Sequence, residues 1–246
     1  LLGGAFTGIN GVPHSGVARL NPDGTLDNAF SAGSGVNGTV YALALRADGK
    51  VMIGGDFTLV NGTNRNSIAR LNANGSLDAS FAPTPGANGI VFAVIVQPDN
   101  KVVVGGDFTT LNGISRNRVG RFNPDGLVDM AFLVGAGANN TVYAMVQQAD
   151  GKVVIAGDFT LYDGVPRNGI ARLFGDVAPF QFAPISVGGG ASLVFGTEVG
   201  FTYFIEASTT LTNWTAISTN VATGGTLTVT DNSGLSFRFY RARRFP

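Results

Sequence analysis

The chain has no cysteine, a single histidine and little charge: acidic and basic side chains make up 13% of its 246 residues, against about 25% in ordinary soluble domains. Without cysteine there are no disulfides, no thiolate chemistry and no cysteine-based metal centre. The lone His14 leaves no second ligand for a zinc site and no spare base for a nucleophile–histidine–acid triad. Sixteen basic and sixteen acidic residues cancel, which excludes the net positive field that draws proteins to nucleic acid or anionic membrane. No apolar run reaches the roughly 18 residues of a membrane-spanning helix. Residues 1–176 contain 13 Asp but no Glu.

What is abundant is glycine, 36 residues, in a chain that is 44% apolar. Such a chain buries enough surface to offset its ordering entropy and is not disordered. Glycine, Val, Thr and Asn together indicate an all-β fold whose strands are separated by tight turns. The order behind them is a repeat. Gly-Ala-Phe-Thr at 4–7 returns as Gly-Asp-Phe-Thr at 55–58, 106–109 and 157–160, each step being 51 residues. The same offset relates Arg19, Arg70, Arg121 and Arg172, and also Asp27, Asp78 and Asp129, Phe30, Phe81 and Phe132, and Val40, Val91 and Val142.

One unit reads as four strands. Val40–Arg46 is apolar nearly throughout, as in a strand covered on both faces. Asp48-Gly49 signals a hairpin into Lys50–Phe57. A loop carrying Asn61-Gly62 leads to Ser67–Leu71, and Asn74-Gly75 turns the chain into a short fourth strand, Ser76–Phe81. Four antiparallel strands in a repeat of this length describe a propeller blade. The unit Val-Tyr-Ala-Leu-Ala…Asp-Gly-Lys-Val…Gly-Gly-Asp-Phe-Thr…Asn-Gly…Ile-Ala-Arg-Leu-Asn…Leu-Asp…Phe (40–81) resembles the delta-60 repeat family of bacterial surface and secreted proteins. Its strand-ending Gly-Gly resembles kelch repeats more loosely. The resemblance implies a propeller on an exported protein.

The expected fold is therefore all-β: a partial or truncated β-propeller of four-stranded 51-residue blades (1–39, 40–90, 91–141 and 142–176), a linker over 177–190, and a small β-sandwich over 191–246. The string at 203–215, Tyr-Phe-Ile-Glu-Ala-Ser-Thr-Thr-Leu-Thr-Asn-Trp-Thr, and Phe-Tyr-Arg-Ala-Arg at 239–243 resemble the immunoglobulin- or fibronectin-like modules of exported bacterial proteins. Trp214 is expected as a core anchor there. The strands amount to three and a half blades, so closure of the ring calls for upstream repeats of a longer parent or for a second chain. The chain opens at Leu1 and is read as a processed or truncated product.

Eleven of the 13 carboxylates in residues 1–176 recur with the repeat, which points to architecture rather than catalysis. Asp56, Asp107 and Asp158 each have an Arg nine residues on, Arg65, Arg116 and Arg167, and Ala5 and His14 replace both partners in the first unit. That joint loss predicts three ion pairs within blades. Asp23 with Asp27, and Asp125 with Asp129, crowd oxygen atoms into short turns; a calcium site and a plain hairpin turn both fit them. No other cofactor is expected. The turn residues Asn10, Asn61, Asn112 and Asp163 line one repeated rim, the expected ligand face. The resulting expectation is a non-enzymatic, secreted or cell-surface scaffold or adhesion module that binds a glycan or protein. A fragment of a carbohydrate-active enzyme with its catalytic residues upstream, and a structural stalk or surface-layer part, are the alternatives.

Overall fold

The computed structural model describes residues 1–173, 183–187, 190–196, 202–210, 212–223, 226–233 and 238–245. The chain divides into two units, Leu1–Asp176 and Val177–Pro246. Every regular element among the described residues is a strand.

The first unit is a stack of propeller blades. Three antiparallel sheets repeat with the 51-residue step: Thr39–Leu45, Val51–Asp56 and Ile68–Leu71; Val91–Val96, Val102–Gly106 and Val119–Phe122; Val142–Gln147, Val153–Gly157 and Ile170–Leu173. Ahead of them, Leu2–Gly3 pairs with Val17–Ala18, the second and third strands of the first blade. The first strand of each complete blade is its inner strand, and inner strands of successive blades lie side by side.

Two details differ from the sequence reading. The fourth strand, expected over Ser76–Phe81, is reduced to one bridge, Leu71 to Leu77, repeated as Leu20 to Leu26 and Phe122 to Val128. The chain leaves the ladder because Asp78 turns it: its carboxylate accepts the Ser80 N–H at 2.9 Å, and such local bonds compete with strand pairing. The Asn-Gly loop, conversely, is more ordered than a loop. Leu59–Val60 pairs with Thr63–Asn64 around Asn61 (φ 50°) and Gly62 (φ 73°), the backbone of a type I′ hairpin.

The cores lie between blades, not within them. One cluster joins Val17 and Phe30 of the first blade to Val40, Val51, Ile53 and Leu71 of the second. The next joins Met52, Ile68 and Phe81 to Val91, Val102 and Val104, and the third joins Val103, Val119 and Phe132 to Val142, Val153 and Ile155. Alternation along the strand sends Ile53 to one neighbour and Met52 to the other. Glycine sets the spacing: a Cβ on Gly54 would lie 2.7 Å from Val91 Cγ1, and one on Gly105 2.9 Å from Val142 Cγ1.

The second unit contains two three-stranded antiparallel sheets. Ala183–Val187, Gly190–Gly196 and Thr226–Asp231 form one; Thr215–Val221, Thr202–Ser208 and Phe239–Phe245 form the other. Leu193 and Val229 of the first share a core with Tyr203, Ile205 and Ala222, which makes a β-sandwich. The linker read over 177–190 is partly strand: Ala183–Val187 pairs along Gly190–Val194 as an edge, the kind of strand in which proline is found. Its residues 177–182, 188 and 189 lie outside the described residues. Trp214 is half-buried rather than a core anchor, with the Arg241 guanidinium 4.3 Å above its ring.

Candidate functional site

Each inner strand carries a β-bulge at the same place. Val40 pairs with Gly55 and Ala42 with Gly54, leaving Tyr41 extra; Phe92 and Tyr143 are the extra residues of the next two blades. The glycine opposite makes the bulge feasible, because a Cβ on Gly55 would overlap the Thr39 carbonyl oxygen. A bulge re-aims its side chain out of the pleat. Here it turns three aromatic rings into one row. Tyr41 and Phe92 have centroids 5.2 Å apart at 51°, and Phe92 and Tyr143 5.3 Å apart at 60°. Tyr41 is 51% exposed and Tyr143 47%.

Carboxylates border this row. Asp56 pairs with Thr39 at the end of the second strand, and Asp107 and Asp158 hold the equivalent places. Tyr143 Oη donates to Asp158 Oδ2 at 2.9 Å. That bond, with the charge behind it, pushes the phenol above its usual range, and Asp107 adds to the effect. Asp107 Oδ1 accepts the Ile90 N–H at 3.3 Å.

The ion pairs predicted for Asp56, Asp107 and Asp158 are not formed. Arg65, Arg116 and Arg167 each turn Nη1 back to the carbonyl of the residue before, Asn64, Ser115 and Pro166, at 2.8, 2.9 and 2.9 Å. The joint replacement in the first unit therefore marks no contact; the hairpin between the two positions is kept there, Gly8–Ile9 pairing with Val12–Pro13.

The repeated ion pair lies elsewhere. Arg70 Nε donates to Asp78 Oδ2 at 2.7 Å, Lys50 Nζ meets the same oxygen at 2.7 Å, and the guanidinium carbon sits 5.1 Å above the Phe81 ring. Arg121 repeats this with Asp129, Lys101 and Phe132, and Arg19 with Asp27 and Phe30. Burial pushes the Asp78 carboxyl up, but hydrogen bonds from Lys50, Ser80 and Arg70 prevail and hold it well below the usual carboxylate range.

The calcium candidates are engaged as well. Asp27 and Asp129 face these guanidinium groups. Asp23 Oδ1 accepts the Thr25 N–H at 2.9 Å, and Asp125 Oδ1 the Leu127 N–H at 2.9 Å. Among the described residues no three His, Asp or Glu side chains converge as a metal site. Their geometry is that of the plain turn.

The rim residues serve as clamps. Asn61 Oδ1 accepts the Ser34 N–H at 3.2 Å and Asp163 Oδ1 the Ala136 N–H at 2.8 Å. Position 85 is Pro, which has no N–H, so Asn112 Oδ1 takes the Gly86 N–H at 3.0 Å instead. These side chains fasten the link between blades to the following hairpin. Asn10 has the same left-handed backbone, φ 48°. Beside this rim, a groove of ≈ 380 Å³ opens between Asn117, Arg118, Asn139 and Leu161.

Sequence reasoning missed the aromatic row, although Tyr41, Phe92 and Tyr143 obey the 51-residue step and sit beside the repeated Val. A family model described as "Domain of unknown function (DUF5122) beta-propeller" matches residues 1–30, 46–81, 97–132 and 148–176, more than half of the chain. The matched segments flank the three inner strands. No curated protein and no solved structure matches the chain.

Proposed function

The chain belongs to the DUF5122 β-propeller family, and on that premise we propose that it is a non-enzymatic binding module, a scaffold or adhesion element that meets a glycan or protein outside the cell. The observation that carries this reading is the row Tyr41–Phe92–Tyr143, exposed at both of its tyrosines. The interblade cores are filled next door by Val40, Val91 and Val142, while the rings meet outside those cores. Exposed aromatic side chains gathered on a rigid frame are characteristic of recognition surfaces. Of the repeated carboxylates, Asp27, Asp78 and Asp129 hold guanidinium groups, and Asp23, Asp48, Asp99, Asp125 and Asp150 close turns. The resemblance of the repeat to exported delta-60 proteins, and of 203–243 to immunoglobulin-like modules, supports the extracellular setting.

The test is retention of the chain on immobilised extracellular polymers, both polysaccharide and protein, alongside a reducing-sugar assay. Retention on at least one polymer is expected, with loss in the Tyr41→Ala, Phe92→Ala, Tyr143→Ala variant and no release of reducing ends. Sugar release would favour an enzyme. Retention on none, or equal retention of the variant, would overturn the reading.

A further inference from the structure

Resting on that binding reading, we infer that the aromatic row is a subsite for a neutral polysaccharide strand lying across the inner strands of three successive blades. Three observations converge. The rings form a row and not a cage: neighbours tilt by 51° and 60° at 5.2 and 5.3 Å, so they pave a narrow track instead of enclosing a point. The exposed tyrosines at its two ends, Tyr41 and Tyr143, offer apolar ring surface to the C–H faces of pyranose rings. A protein partner needs about 800 Å² of matched surface on each side, far more than a track one side chain wide.

The polar border suits hydroxyl groups. Tyr143 Oη donates to Asp158 Oδ2, which sets a carboxylate against the row. Asp107 holds the equivalent place one blade earlier, its Oδ1 taken by the Ile90 N–H. Sugar hydroxyls are donors suited to the carboxylates of this border.

Charge selects further. Asp56, Asp107 and Asp158 recur once per blade, and among the described residues none of them takes part in an ion pair. A uronate or sulfated chain on the track would meet like charge at every blade, and such juxtaposition rejects the wrong ligand. The row therefore takes uncharged glycans and refuses polyanionic ones.

Affinity electrophoresis of the full chain tests this, in gels containing hydroxyethylcellulose, mixed-linkage β-glucan, galactomannan, alginate or polylysine. At least one neutral polysaccharide is expected to retard the wild type, and alginate is not. Tyr41→Ala with Tyr143→Ala should weaken that retardation about tenfold or more, while thermal melts report that the variant is folded. Asp107→Asn with Asp158→Asn should let alginate retard the chain. Retardation by alginate or polylysine alone overturns the inference. So does undiminished retardation of the folded tyrosine variant. If the row binds an extracellular protein but no neutral polysaccharide, this inference falls and the proposed binding function stands; if nothing binds, both fall.

Discussion

Arg121 Nη2 lies 2.7 Å from Asp129 Oδ2, with the guanidinium fully shielded from solvent and the carboxylate side chain 7% exposed. The pair is further held by Gln97, whose Oε1 accepts Arg121 Nη1 at 2.9 Å, and by Phe132, 4.6 Å beneath. Removing Arg121 leaves the largely buried Asp129 with Lys101, 3.1 Å away, as its remaining cation. Arg121→Ala is expected to lower unfolding free energy by about 3–5 kcal/mol. Arg19→Ala, whose site is a third exposed, should cost about 1 kcal/mol or less. Urea denaturation of both variants measures the contrast.

The same braces set the acid response. Asp78 and Asp129 are held below the ordinary carboxylate range in the folded chain, so the folded state binds protons less readily than the unfolded one. Their contribution is present above the unfolded pKa of about 3.9 and is lost as pH falls toward the folded values. Stability is expected to be level from pH 7 to about 5 and to drop below about 4. Asp78→Asn should lower the plateau and flatten the acid limb, as followed by urea midpoints across pH.

Blade spacing gives a steric prediction. Gly54→Ala sets a Cβ against both Val91 Cγ1 and Val94 Cγ2, at 2.7 and 2.8 Å, and stiff valines yield little. A loss of about 1–3 kcal/mol is expected. Gly105→Ala meets Val142 and the softer Met145 and should cost less. The equivalent Ala156 already carries a Cβ; Ala156→Gly should destabilise by about 0.5–1 kcal/mol through chain entropy alone. Thermal denaturation of the three variants gives the order.

The clamps separate backbone from side chain. Asn112 combines φ 48° with bonds to Gly86 N–H and the Gly126 carbonyl. Asn112→Gly keeps the left-handed turn and loses the bonds, whereas Asn112→Ala loses both. The alanine variant should be destabilised by about 1–3 kcal/mol and the glycine variant by less. Denaturation midpoints that ranked glycine below alanine would show that the turn is unstrained.

Much of the fold was legible because the repeat has no insertions: Gly-Asp-Phe-Thr fixed the register, and apolar strands between glycine turns fixed the type. The Gly-Gly-Asp triplet was read only as a strand end. In the structure its first glycine admits the next blade's Val, its second admits the bulge, and the Asp borders the aromatic row. None of these is visible without the neighbouring strand. The ion pair was misplaced for a related reason. Asp56 and Arg65 are replaced together in the first unit, but one joint replacement does not require a contact. Arg70 and Asp78, eight apart in three copies, carried the usable signal, obscured because an Asp in a turn explains itself. The tyrosine row escaped notice because a strand covered on both faces does not announce which residue a bulge will expose.

The brace between blades addresses main chain. Arg19 Nη1 donates to the Ala73 carbonyl and Arg70 Nη1 to the Pro124 carbonyl, equivalent positions with unlike side chains. A joint that reads only an oxygen atom is indifferent to the identity of the residue presenting it. Whole 51-residue modules gained or lost by recombination would thus meet their new neighbours through an unchanged connector, leaving each copy at liberty to drift in its turns.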